Sequence, residues 1–249
     1  MPTQLRQLAS HLNETTTEQH RRKAATSEAL NFPSPDGSVV RRADKTGYET
    51  PMGFMPSVTT ILGATSPPEA KARLQAWLER PGAHEESQRA CKRGTWVHAQ
   101  LENYIQYKPI KRHLAFNSYL DSMLGWVDDN IIEPCMIESP SYHPAGFSGT
   151  ADLVTWCDKW PELTILDWKT SARFRTPDLV DNYLDQLSAY RMSIRHTYSV
   201  ECLKGCLVIG RPAASKPDVW VIDEHELNRR ERKFLGRVEQ YQNQLSTVE

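Results

Sequence analysis

Residues 146–171 read GFSGTADLVTWCDKWPELTILDWKTS, and the parsing of this stretch decides the fold. FSGTADLVTWC and ELTILDWKT are rich in β-branched and aromatic residues, and a polar turn with Asp158, Lys159 and Pro161 separates them. That pattern predicts two strands joined as a hairpin. Side chains alternate along a strand, so Asp167 and Lys169 share one face, while Thr164, Leu166 and Trp168 share the other. A hairpin can set Asp152 beside Asp167. Two neighbouring carboxylates repel, and one is driven toward its neutral form unless a divalent cation joins them. A lysine next to such a cation can orient water and stabilise developing negative charge, which suits hydrolysis of a phosphodiester. The plain alternative for Asp152, Asp167 and Lys169 is a structural ion pair at a sheet end.

Outward from this hairpin the pattern continues. EPCMIESPSY (133–142) reads as a preceding strand. TPDLVDNYLDQLSAYRMSIRHT (176–197) reads as a helix, with Thr176 as its N-cap and Pro177 as its first residue. ECLKGCLVIG and PDVWVID are two more strand-like runs, and ELNRRERKFLGRVEQYQNQL closes the chain as a helix. Upstream, MPSVTTILG reads as a short β-like run with a turn. Pro68 opens a helix to about Glu79, and ESQRACKRGTWVHAQLENYIQY is a second helix with Val97, Leu101, Tyr104 and Ile105 on one stripe. Residues 112–131 form a third. The expected architecture is α/β, with a central β-sheet flanked by helices. Three regions are expected: a polar N-terminal segment over 1–50, a helical subdomain over 51–132, and the sheet-bearing core over 133–249.

Composition narrows the function. The chain has 249 residues, 39% hydrophobic and 24% charged, as expected of a soluble globular protein. No apolar run approaches the roughly 20 residues of a membrane span, so no membrane partner is expected. The N-terminus lacks the apolar stretch of a secretory signal. Glu14 and Glu18 spoil the acid-poor pattern of a mitochondrial presequence, so the expected location is the cytoplasm of a bacterial or phage-infected cell, with a mitochondrial one as the weaker alternative. Thirty Lys and Arg against 31 Asp and Glu leave any nucleic-acid surface to local patches. The five cysteines include no CxxC pair, so no iron–sulfur cluster is expected. Cys202 and Cys206 read as core.

GTADLV, ILDWKTS and QLSAY, in that order, resemble the RecB-type branch of the PD-(D/E)XK nuclease superfamily. PSVTTIL, from Pro56, resembles the opening segment of mitochondrial genome maintenance exonucleases and their phage relatives. The likeness spans about residues 56–210. It implies a restriction-endonuclease-like core, here preceded by the helical subdomain. It implies Mg²⁺ or Mn²⁺ held by Asp152, Asp167, the Trp168 carbonyl and His98 in RGTWVHAQLENY. It further implies that Lys169 activates the attacking water, that Gln186 and Tyr190 are active-site residues, and that Glu138 is an additional acid. Ala151-Asp152 stands where the superfamily's name-giving Pro-Asp is found.

Substrate contacts are expected from Ser57 and Thr59 through hydroxyls and amides, and from Arg93, Thr95, Thr170, Ser171 and Arg173 around the helical subdomain and the end of the DWKTS strand. Trp77, Trp96 and Trp126 read first as core and second as stacking platforms. A helical cover over a sheet-edge site favours a threaded strand. The expected activity is a metal-dependent exonuclease acting on single-stranded DNA with a free end, working beside a helicase or recombination partner. The alternatives are an endonuclease of the same superfamily and an inactive nucleic-acid-binding module.

Overall fold

The computed structural model describes residue 32 and residues 36–247. What the sequence predicts for residues 1–31 and 33–35 lies outside the described residues. Strands β4 (Ile131–His143), β5 (Phe147–Cys157) and β6 (Trp160–Thr170) form an antiparallel meander. β7 (Lys204–Gly210) joins β6 in parallel, from Thr164 opposite Lys204 to Thr170 opposite Gly210. A parallel neighbour requires a crossover, and the long helix α5 (Pro177–Tyr198) provides it. β8 (Asp218–Ile222) completes a five-stranded mixed sheet in the order β4-β5-β6-β7-β8. The closing helix α6 (Glu224–Ser246) begins at Asp223, whose side chain accepts from the Glu226 amide.

Helices cover both faces of the sheet. On one face, Ile165, Leu187, Ile194 and Phe234 gather the core between β5, β6, α5 and α6. On the other, α3 (Ala83–Ile105) and α4 (Asn117–Asn130) pack Val97, Leu101, Leu120 and Met123 against Leu153, Leu166, Trp168 and Cys206. Leu166 and Trp168 thus share a face away from Asp167 and Lys169, as strand alternation requires. α2 (Pro68–Leu78) begins at the proline that marked it and buries none of its residues.

Two regions differ from the sequence reading. The MPSVTTILG run is extended only at its start, where Met55 and Pro56 end a strand over Gly53–Pro56; Val58–Ala64 form helix α1, with Ser57 as N-cap accepting from the Thr60 amide at 3.1 Å. The run Val58-Thr59-Thr60-Ile61 carries strong β-propensity, but the cap and the buried Val58, Ile61 and Leu62 at helical spacing outweigh it. In addition, β1 (Val40–Arg41), β2 (Gly47–Thr50) and β3 (Gly53–Pro56) form a small antiparallel sheet across position 50. Strands this short show too little alternation to be read from sequence. Tertiary contact holds them, with Tyr48 buried and its hydroxyl 2.8 Å from Thr150 Oγ1 of β5.

Candidate active site

The first acid comes from β5. Asp152 is buried, and its Oδ2 accepts the Trp168 amide of β6 at 2.7 Å, so the hairpin fixes one carboxylate oxygen. Oδ1 lies 3.4 Å from Nδ1 of His98, which α3 carries in from the helical side. Glu138 arrives from β4. It sits between Ile137, paired with Leu153, and Ser139, paired with Ala151, and its φ is 45°. A glutamate in the left-handed region inside a strand costs of order 1–3 kcal/mol. The ligand atoms of His98, Glu138 and Asp152 all lie within 4.8 Å of one another.

On β6, Asp167 is buried and its Oδ2 accepts from the Lys169 ammonium. Gln186, on α5, donates to the Tyr190 hydroxyl at 2.8 Å, and its Nε2 lies 3.5 Å from Asp167 Oδ1. The Tyr190 ring fills the space that a Cβ at Gly149 would need. The Lys169 ammonium stands 5.4 Å from the Tyr183 ring centroid.

The charges are unevenly compensated. Burial, reinforced by the Asp152 charge, pushes the Glu138 carboxyl up to about 7. Burial also raises Asp167, to about 6, with the Asp152 charge adding and Lys169 opposing. Asp152 goes the other way: burial favours its neutral form, but His98, Lys169 and the Trp168 amide outweigh it and hold the carboxyl below its usual range. Burial disfavours the charged form of His98 as well, yet Asp152 raises its pKa overall. Three acids thus share too little positive charge, and two are held toward protonation as a result. One imidazole with two or three carboxylates is a donor set that suits Mg²⁺ or Mn²⁺, and such a cation would supply the missing charge.

An open cleft of about 200 Å³ brings together Ser57, Thr59, His98, Glu138, Asp152, Asp167, Lys169, Gln186 and Tyr190. Tyr48, Gly149, Thr150 and Arg41 complete its wall. A second cleft, with Gly94, Thr95, Ala99 and Glu102, shares Arg41, His98 and Glu138 with the first. Four expected substrate contacts do not line either cleft. Arg93 donates from Nε to Thr170 Oγ1 at 3.0 Å and from Nη1 to the Tyr119 hydroxyl at 3.3 Å. The Ser171 hydroxyl is used inside its own loop, donating to the Arg173 carbonyl at 2.6 Å and accepting from Arg175 Nε at 2.9 Å. Ser57 spends its hydroxyl on the α1 cap and on Thr59 and Thr60, although it still faces the cleft. The Trp168 side chain is core, edge-on to Trp126 at 6.1 Å, and Trp96 packs on Phe116 and His113. Sequence reasoning missed Tyr48, which lies outside any motif, and Thr150, which lies within GTADLV beside Asp152 but has an uncharged side chain. The approach of Tyr190 to Gly149 also leaves no mark in the sequence.

Two curated proteins are similar to this chain. Over 204 residues it is 28% identical to mitochondrial genome maintenance exonuclease 1 of Xenopus tropicalis, across 76% of this chain and 58% of that protein. The same protein of Mus musculus is 28% identical over 204 residues, across 75% of this chain and 59% of the relative. The chain therefore spans less than two thirds of the length of these curated relatives. No protein-family model matches it. Among solved structures, the crystal structure of SSO0001 aligns over 91% of this chain and 84% of that one at 15% identity, with a TM-score of 0.33, too low to carry an argument about fold.

Proposed function

We propose that this chain is a divalent-metal-dependent nuclease of the RecB-type PD-(D/E)XK branch, with a restriction-endonuclease-like core, that hydrolyses phosphodiester bonds from a free end of single-stranded DNA. The observation that carries this reading is the convergence of His98, Glu138 and Asp152, with Asp167 and Lys169 beside them, in one open cleft. Homology to two proteins named exonucleases supports a nuclease. The free-end and single-strand preference extends that homology and the helical covering of the site.

His98, Glu138, Asp152 and Asp167 would hold the cation, with the Trp168 carbonyl as a further donor. When bound, it supplies Lewis acidity to the phosphodiester and lowers the pKa of water. The protein does the rest. Asp167 holds the Lys169 ammonium at the cleft wall, where it can orient the attacking water and offset charge on the phosphate. Gln186 and Tyr190 steady Asp167 from behind.

The test is cleavage of linear single-stranded, circular single-stranded and linear duplex DNA in Mg²⁺, Mn²⁺ or EDTA, with Lys169→Ala as control. The expected result is metal-dependent loss of the linear single strand alone, slowed about 10²–10⁴-fold in the variant. Cutting of the circle would make the protein an endonuclease. Failure to cut any substrate would remove the reading.

A further inference from the structure

The two clefts meet at three side chains, His98, Glu138 and Arg41. Most of the charge around that seam is negative: Glu138, Asp152 and Asp167 line the first cleft and Glu102 the second. A polyanionic strand cannot settle there on acids alone, because each phosphate would face like charge within a few ångströms. Two basic residues line these walls. One, Lys169, is paired with Asp167. The other, Arg41, is exposed, and its guanidinium makes no ion pair or hydrogen bond with any described residue. Its guanidinium stands 5.9 Å from the centroid of the Tyr48 ring. That ring is buried, and its hydroxyl is tied to Thr150, two residues before Asp152. The small β1–β3 sheet therefore anchors the Arg41 guanidinium against the strand that carries the first acid.

Resting on the nuclease reading above, we propose that Arg41 is a substrate-binding residue: it grips a non-bridging oxygen of the phosphodiester next to the one cleaved, as the strand passes from one cleft to the other. A guanidinium suits this task, because it stays charged and its planar fork matches a phosphate. The contact is to the backbone, so it carries no base preference. It also gives the β1–β3 sheet a role in substrate binding that the acids and Lys169 do not fill.

The experiment measures binding of a fluorescein-labelled oligothymidine by anisotropy across a KCl series, in the Lys169→Ala protein so that the probe stays whole. Each phosphate contact on a single strand contributes about 0.7 to the slope of log K against log salt. Adding Arg41→Gln is expected to lower that slope by about 0.7 and to weaken binding several-fold near physiological salt. Arg41→Lys, which keeps the charge, should retain the slope. In the otherwise wild-type protein, Arg41→Gln should raise KM more than it lowers kcat. An unchanged slope in Arg41→Gln, or an Arg41→Lys protein as weak as Arg41→Gln, would overturn the assignment and leave the nuclease reading standing. A parent protein that binds no oligonucleotide at all would remove both.

Discussion

At the scale of single residues, the site depends on how each acid is held. Asp152 is fixed by one amide, Asp167 by an ammonium, and Glu138 by a backbone conformation that side chains rarely adopt. Gly149 has a subtler part. A Cβ there would lie 2.8 Å from Tyr190 Cδ1 and nearer still to Cε1, so the ring would have to move. The Tyr190 hydroxyl accepts from Gln186, and Gln186 reaches Asp167. Gly149→Ala is therefore expected to lower kcat by about 10–10²-fold with KM nearly unchanged, because displacements of about an ångström cost that much in preorganised sites. Steady-state kinetics beside a thermal melt checks this; wild-type kcat in the variant would mean that the ring's position does not matter. Asp152, Asp167 and Lys169 are legible in the sequence as residue types on neighbouring strands, whereas His98 and Glu138 are legible only through the family resemblance. What was not legible was which of them meet: Glu138 joins His98 and Asp152, while Asp167 turns to Lys169 and Gln186.

At the scale of elements, β5 and β6 were readable because eleven residues of alternating, β-branched sequence leave little ambiguity. α1 was misread because seven residues offer too little period to outweigh β-branched composition, and its capping serine shows as a cap only once the helix is seen. The β1–β3 sheet was missed for a related reason. Its strands are held by Tyr48 on β5, a contact about a hundred residues away in sequence that no local pattern records. The α5–α6 pair shows a different dependence. Arg191 is buried in α5 and donates to the Cys202 carbonyl at 2.6 Å, Asn228 at 2.8 Å and Glu231 at 2.7 Å. Removing it leaves the buried Glu231 to the more exposed Arg195, 3.2 Å away. Arg191→Ala is expected to cost about 3–5 kcal/mol, read as a lower denaturant midpoint, with activity per folded molecule retained. A shift under 1 kcal/mol would show that the network contributes little.

At the scale of the whole molecule, a mixed sheet with helices on both faces presents its acids at one cleft and leaves pH-sensitive groups elsewhere. His143 is one. Its ring stacks on Phe147 at 5.0 Å and lies 5.7 Å from His196. Burial, aided by the charges of His196 and Arg195, lowers its pKa to about 4, from 6.5 in the unfolded chain. Between these values the unfolded chain binds the proton and the folded one does not. The contribution to stability is therefore present above pH 6.5 and is lost as the pH falls toward 4. Discounted for partial exposure, it amounts to about 1 kcal/mol between pH 7 and pH 5. Chemical denaturation at the two pH values should show the wild type losing about that much more than His143→Gln. Equal losses would contradict the assignment. Among the described residues, no helix is long and apolar enough to cross a membrane.

Whether His98, Glu138 and Asp152 hold a divalent cation can be read from anomalous diffraction by crystals grown with Mn²⁺. A peak is expected among the His98 nitrogen and the Glu138 and Asp152 oxygens, weakened in His98→Ala crystals. A fully occupied Mn²⁺ elsewhere, or no peak at these side chains at saturating Mn²⁺, would contradict it.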